Sequence, residues 1–281
     1  MNITNKIGLG TVQFGMSYGI SNNEGKTSEL AVHNILSYAI ENQIDLIDTA
    51  AAYGDSEEVL GKNDLSQFRI VSKFLLLDNN EKIEAQLDAS LEKLQVQSIY
   101  GYMAHRPISI AKDPSIWKDL NSLKEKGKVK KIGFSFNDLE EVSLVLGAGF
   151  IPDIIQVPFN YLDNRFLPAM KDLKQLGCEI HTRSTFLQGL FFCCVEELDE
   201  YFSEAKPILT RLAKYGDKLP GLLLKYVLTN DLVDKVIIGV NNQKQLQQNI
   251  ESVRLSIKEE LDIFNERVSD NILTPSKWPI N

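Results

Sequence analysis

Two hydrophobic rhythms alternate along this chain. Short apolar runs bounded by turn residues read as buried strands: Ile7 to Thr11, Ile44 to Asp48, Phe68 to Lys73, Ser98 to His105, Lys130 to Ser135, Asp153 to Val157, Cys178 to Ser184 and Val236 to Gly239. Between them, apolar positions recur at helical spacing. The spacing predicts helices over Thr27 to Asn42, Ser56 to Gly61, Asn80 to Leu94, Pro114 to Lys126, Asp138 to Leu146, Phe166 to Leu176, Leu198 to Lys214 and Pro220 to Leu228. One or two more are expected within Lys244 to Val268. In the first of these, Thr27 or Ser28 is the expected N-cap, and Leu30, Val32, Ile35, Leu36 and Ala39 are expected on one face. Gly127 and Gly177 stand where helix-terminating glycines belong.

Strand followed by helix, eight times over, predicts an α/β fold of the (β/α)8 TIM-barrel type. The rival is an open doubly wound sheet, which usually carries a Gly-rich dinucleotide loop after its first strand. Here that place holds Val12-Gln13-Phe14-Gly15-Met16, which is no GxGxxG. No Pro/Ser-rich linker or low-complexity segment interrupts the pattern, so residues 1–281 are expected to form a single domain with a Pro-punctuated tail from about 270. The longest irregular connection, Thr185 to Leu198, falls after the seventh strand, on the face where barrels place their chemistry.

Composition narrows the class. The chain has 281 residues, 43% hydrophobic and 24% charged, with a net charge of −8. That balance suits a globular protein and argues against nucleic acid or an anionic membrane as partner. No run is long and apolar enough to span a bilayer, and Met1 to Lys6 lacks a signal-peptide core. Three cysteines, Cys178, Cys193 and Cys194, fit a reducing cytoplasm better than a disulfide framework. His33, His105 and His181 show no ligand-type spacing to them, so no metal site is expected. No swapping arm or coiled coil is evident, and a monomer is expected.

In a barrel of this kind, catalysis sits at the C-terminal strand ends. Strand two ends at Asp48, with Tyr53 in the following loop; strand three ends at Lys73; strand four ends at His105, followed by Arg106. The set is chemically coherent. A free tyrosine has a pKa of about 10 and is a poor acid at neutral pH. A nearby ammonium stabilises the phenolate form and makes the phenol a better acid. Asp48 would hold Lys73 charged and aimed, and His105 would hydrogen-bond the same substrate oxygen as Tyr53. Such a pocket polarises a carbonyl and hands it a proton. Taken singly, each residue has an ordinary reading: a helix cap, a packing tyrosine, a snorkelling lysine, a structural histidine. The ordered combination is what points to catalysis.

With these residues in place, the chain resembles the aldo-keto reductase superfamily. The likeness rests on Gly8-Leu9-Gly10-Thr11, Asp48-Thr49-Ala50 with Tyr53-Gly54, Ser72-Lys73, His105-Arg106-Pro107, Gly133-Phe134-Ser135, Gln156, Gln188-Gly189-Leu190 and Gly239 through Asn249. The resemblance implies a barrel reductase that binds a nicotinamide cofactor without a Rossmann loop, with Asp48, Tyr53, Lys73 and His105 as catalytic tetrad and Tyr53 as proton donor. It implies that Ser135 and Gln156 hold the nicotinamide carboxamide. It also implies cofactor contacts from Gly10, Thr11, Ser184, Phe186, Gly189, Gly239, Asn241, Gln245, Gln248 and Asn249. This sequence departs from the family pattern in three places. Phe136 stands where an Asn often follows the serine. Arg183-Ser184-Thr185-Phe186 replaces an aromatic ring and Ser-Pro-Leu, so that Arg183 either stacks on the nicotinamide or faces a substrate anion. Gln245, beside Lys244, stands where an arginine is common. The family's habit implies NADP(H) first, with NAD(H) as the alternative.

Two substrate readings stand open: a small carbonyl compound that is anionic or sugar-like, and a broad range of aldehydes. Phe14, Met16 and Tyr18 are expected to wall the substrate pocket, with Arg106 facing a charge and Trp278 closing over the site. The competing functions are a non-enzymatic NADP(H)-binding redox sensor or regulator, which the intact tetrad disfavours, and a barrel isomerase or lyase, which needs no nicotinamide. His33, His181, the Cys193-Cys194 pair and the Lys-rich run from Lys124 to Lys131 read as structural or solvated.

Overall fold

A computed structural model describes residues 3–20, 22, 24–75, 82–256, 258–262 and 266–279. Parts of four expectations lie outside the described residues: the start of the N-terminal segment, positions 80 and 81 of the helix expected over 80–94, positions 257 and 263–265 of the helices expected within 244–268, and the end of the tail.

The strands are β1 (Ile7–Gly10), β2 (Leu46–Asp48), β3 (Arg69–Phe74), β4 (Ile99–Ala104), β5 (Val129–Ser135), β6 (Ile154–Pro158), β7 (Glu179–Arg183) and β8 (Lys235–Gly239). They pair in parallel in chain order, and β8 closes on β1, making an eight-stranded barrel. The helices, in order, are α1 (Val12–Gly15), α2 (Glu29–Glu41), α3 (Ser56–Gly61), α4 (Ile83–Leu94), α5 (Ile108–Lys112), α6 (Ser115–Glu125), α7 (Leu139–Gly147), α8 (Leu167–Gln175), α9 (Lys206–Leu212), α10 (Leu219–Leu228), α11 (Gln243–Leu255) and α12 (Asp270–Leu273). This is the (β/α)8 TIM barrel that the alternating pattern predicts.

Strand parity fixes which side chains enter the barrel, because successive residues point to opposite faces. Leu46, Val71, Met103, Ile154 and Ile237 pack together as one buried cluster inside it. A Cβ on Gly8 would meet the terminal methyls of Leu46 and Ile237 at 2.8 Å, so a larger residue there would make that layer repack. Two residues further along the same strands, on the same face, come Asp48, Lys73, His105, Gln156 and Gly239. The polar layer at the top is thus set by the apolar layer beneath it. At the opposite end Glu179 accepts from Tyr100 and Lys131 and pairs with His181, while Asp45 pairs with Arg69 and Lys235. These ion pairs close the barrel floor, away from the strand ends that carry the site.

The outer layer follows amphipathic logic with two corrections. In α2, capped by Ser28, Val32, Ile35, Leu36 and Ala39 are buried, but Leu30 is 71% exposed. Two residues before Val32 is about 200° around the helix, the opposite face. The expected helix from Leu198 to Lys214 is instead short 3-10 turns followed by α9. Beyond Leu255 no further helix appears among the described residues until α12. A second apolar cluster joins the β7 loop to the tail, where Leu187, Leu190, Phe202, Ile272 and Trp278 pack together.

Candidate active site

The centre of the site is a buried ion pair. Lys73 Nζ lies 2.6 Å from Asp48 Oδ1 and also donates to the Thr49 carbonyl at 3.0 Å. Lys73 is 0% exposed and Asp48 3%. The second carboxylate oxygen of Asp48 accepts from Gln156 Nε2 at 2.8 Å. Burial alone would favour loss of the lysine proton; Asp48 first, then Tyr53, outweigh it, and the ammonium is held above the ordinary lysine range.

Tyr53 is delivered to this cation by a tightly interlocked loop. Ala51 N–H donates to the Lys73 carbonyl, and Tyr53 N–H to the Ala50 carbonyl. Against it lies the end of α1, where a Cβ on Gly15 would sit 1.7 Å from the Tyr53 carbonyl oxygen. Gly54, at φ +57, has its own Cβ position 2.4 Å from the Gly15 carbonyl oxygen. Two glycines therefore fix where the tyrosine emerges. The hydroxyl of Ser56 bridges to Thr11 and Thr49, and Thr11 Oγ1 donates to the Asp48 carbonyl. The Lys73 ammonium comes 5.2 Å from the Tyr53 ring centroid.

His105 directly follows β4 and is anchored through its N–H to the Phe74 carbonyl. Its ring meets that of Tyr53 edge to face, centroids 5.8 Å apart. Burial, with Lys73, Arg183 and Arg106 adding positive charge nearby, pushes its pKa down to about 3. It is a neutral imidazole at physiological pH, and its Nδ1 is buried without a hydrogen-bond partner. The four expected residues are thus brought together from three consecutive strand ends.

Arg183, at the end of β7, is clamped by neutral oxygens. It donates to the Phe136 carbonyl at 3.1 Å, Asn137 Oδ1 at 2.7 Å and Ser184 Oγ at 3.2 Å. Phe136 itself is fully buried and stacks obliquely on Phe134, so Asn137, one residue later, supplies the polar side chain. The loop beyond Arg183 is conformationally strained. Ser184, Leu187 and Gln188 are non-glycine residues with φ of +65°, +45° and +52°, a cost usually borne where a site demands it. Gln188 Nε2 donates to the Tyr18 hydroxyl at 2.8 Å, linking this loop to the one after β1.

A cleft of about 2650 Å³ runs across the strand ends. It exceeds the roughly 300–1,000 Å³ typical of a single small-ligand pocket, and so has room for a dinucleotide and a substrate together. Its wall includes Tyr53, His105, Gly10, Ser135, Gln156, Arg183, Ser184, Phe186, Gly189, Gly239, Asn241, Gln245, Gln248 and Asn249. Tyr18 and Arg106 line it as well. Thr11 borders it, but its hydroxyl is fully buried in the Asp48–Ser56 network. Phe14 is a correction: the helical turn of α1 rotates it inward, and it is 0% exposed in the main core. It forms no wall of the cleft; Met16 and Tyr18 do. Trp278 borders the cleft yet is only 7% exposed, packed edge to face on Phe202 with its indole N–H on the Ile272 carbonyl.

Sequence reasoning missed Gly15, Asn137 and Gln188 as individual contributors. A glycine inside the first loop was the available signal for Gly15. For Asn137 it was the displaced asparagine itself. Gln188 stands in the Gln188-Gly189-Leu190 motif, but its bond to Tyr18 depends on the meeting of two loops.

A closed parallel barrel with a lysine–aspartate pair, a tyrosine and a neutral histidine at its strand ends defines a class of oxidoreductase-type barrel sites. The chain matches the Aldo/keto reductase family over residues 6–264 and belongs to that family, which uses nicotinamide cofactors. Among relatives, it is 26% identical to L-galactose dehydrogenase of Arabidopsis thaliana, covering 84% of this chain and 83% of that protein. It is 24% identical to the NADH-specific methylglyoxal reductase of Escherichia coli (strain K12), covering 90% and 91%. The fold is shared with aldo-keto reductase AKR11C1 from Bacillus halodurans (holo form), at a TM-score of 0.71 and 21% identity, covering 96% of this chain and 92% of that one. Among the described residues, no helix is long and apolar enough to cross a membrane.

Proposed function

We propose that this protein reduces an aldehyde or ketone to an alcohol, with Tyr53 as proton donor. The observation that carries the reading is the placement of the buried Lys73 ammonium against both Asp48 and the Tyr53 ring. A bound nicotinamide in its reduced form supplies the hydride. The chain's own residues do the rest. Tyr53 and neutral His105 face the same cleft and hold the substrate carbonyl oxygen between them. As the phenolic proton passes to that oxygen, the Lys73 ammonium offsets the negative charge left on Tyr53. Asp48 keeps the ammonium aimed, and Gln156 keeps Asp48 aimed.

The residues fit such a cofactor. Ser135 and the Gln156 amide are uncharged hydrogen-bonding groups beside the tetrad, suited to a carboxamide. Asn241, Gln245, Gln248 and Asn249 line the far arm of the cleft, suited to ribose and adenine. Of the two nucleotides, NADH fits better. Neither the loop 240–242 that follows β8 nor α11 contributes a lysine or arginine to the cleft wall, whereas Glu251 does line it; the nearest basic lining residue after β8 in sequence, Lys277, comes from the C-terminal tail. Glu24 also accepts from Asn242, the N-cap of α11, at 3.2 Å. A relative named NADH-specific methylglyoxal reductase is consistent with this.

The test is a fluorescence titration with NADH and NADPH, followed by an aldehyde and ketone panel with whichever binds. Saturable nucleotide binding with turnover is expected. Tight binding without turnover across the panel would point instead to a regulatory protein; absence of binding would remove the oxidoreductase reading.

A further inference from the structure

Arg183 is a cation without an anion. Its guanidinium has five N–H donors, and three of them are spent on neutral oxygens of Phe136, Asn137 and Ser184. Among the described residues, no carboxylate oxygen lies within ion-pairing distance of it. The carboxylate that feels its field, Glu141, accepts instead from the Asn137 N–H. Three hydrogen bonds immobilise the side chain, so little rotamer entropy remains to be lost on binding a ligand. A half-buried charge that is fixed but uncompensated costs stability unless something else repays it. The strained turn at Ser184, directly after it, is a further cost at the same point. Arg183 borders the same cleft as Tyr53 and His105, and its charge is felt at the imidazole.

We propose that the carbonyl substrate carries an oxyanion substituent, a carboxylate or a phosphate, that is bound by the two remaining donors of Arg183. The inference rests on the reductase reading and names its substrate class. Arg183 then acts as a specificity residue: it orients the substrate by its charged end while Tyr53 and His105 hold the carbonyl oxygen. Asn137 is its positioning partner, because without the Oδ1 acceptor the guanidinium loses one of three anchors.

Two paired comparisons test this: succinic semialdehyde against butanal, and glyceraldehyde 3-phosphate against glyceraldehyde. Calorimetric titration in the presence of oxidised nucleotide reads binding without requiring turnover. Hydrogen bonds to charged groups suggest a discrimination of about tenfold or more in favour of at least one charged member in the wild type. The arm that shows it separates carboxylate from phosphate. Arg183→Met should abolish that discrimination while leaving the neutral member and nucleotide Kd unchanged, and Arg183→Lys should restore part of it. In steady state the loss should appear in KM for the charged member, with kcat largely kept. Equal binding of charged and neutral members by the wild type would overturn the proposal. So would a loss in Arg183→Met that is the same for both members, or one that appears in nucleotide Kd. Preserved discrimination with no turnover by the wild type would sink the reductase reading alone.

Discussion

Lys73 and Asp48 form an ion pair 2.6 Å long with neither side chain open to solvent. Removing one partner of a buried pair strands the other charge, which typically costs about 3–5 kcal/mol. Lys73→Met should therefore lower stability by roughly that amount, while Lys73→Met with Asp48→Leu should recover much of it. Denaturant unfolding of the wild type, the single and the double variant measures this. A single variant as stable as the wild type would mean that the pair contributes nothing net.

Tyr53→Phe keeps the ring, its edge-to-face contact with His105 and the loop packing against Gly15, and deletes only the hydroxyl. Carbonyl reduction should fall by about 10²–10⁴-fold, the range of general acid catalysis, with nucleotide Kd within a factor of about two. Retained turnover would remove Tyr53 as proton donor.

The barrel was legible because buried strands and amphipathic helices leave different periodicities, and because Asp48, Lys73 and His105 stand within one residue of the ends of β2, β3 and β4. What was not legible depended on rotation or on partners distant in sequence. Phe14 follows β1 as a substrate-contact residue would, but a single turn of helix turns it into the core. The segment from Leu198 to Lys214 has helical apolar spacing, yet only Lys206–Leu212 forms an α-helix, and the residues before it pack as short turns against the tail. Arg183 was visible as a departure, with two roles open. Its clamp on Asn137 needs β5 and β7 ends side by side, which no local pattern reveals.

His105 adds a pH dependence to stability. Its folded pKa of about 3 lies below the ordinary histidine value of about 6.5. Between those values the unfolded chain binds a proton that the folded one does not, so stability falls as pH falls through that window, by at most about 1.4 kcal/mol per pH unit from this residue. Above pH ~6.5 the residue contributes no slope. The midpoint of unfolding measured from pH 7 to pH 4.5 should drop less steeply in His105→Asn than in the wild type. Parallel slopes would show that His105 titrates normally in the folded protein.

The proposed preference for NADH rests on charge at the start of α11. Gln245 N–H donates to Asn242, Asn241 N–H donates to Gln245, and Asn242 in turn donates to Glu24. Asn241 also donates to Asn22, so the β1 loop is tied across this end of the cleft. If the adenosine ribose rests against Gln245 and Asn249, a 2′-phosphate would bring nearly two negative charges next to the Glu24 carboxylate with no lysine or arginine of α11 facing the cleft. NADH should therefore bind at least about tenfold more tightly than NADPH at low salt, and the gap should narrow as salt screens the exposed carboxylate. Glu24→Lys should shrink the ratio or invert it while leaving NADH Kd nearly unchanged, because the hydrogen bond from Asn242 that it removes is solvent-exposed and the charge it reverses is the one a 2′-phosphate would meet. Fluorescence titration of both nucleotides at two ionic strengths measures the ratio directly. Equal affinities in the wild type, insensitive to salt and to Glu24→Lys, would place the ribose away from Glu24.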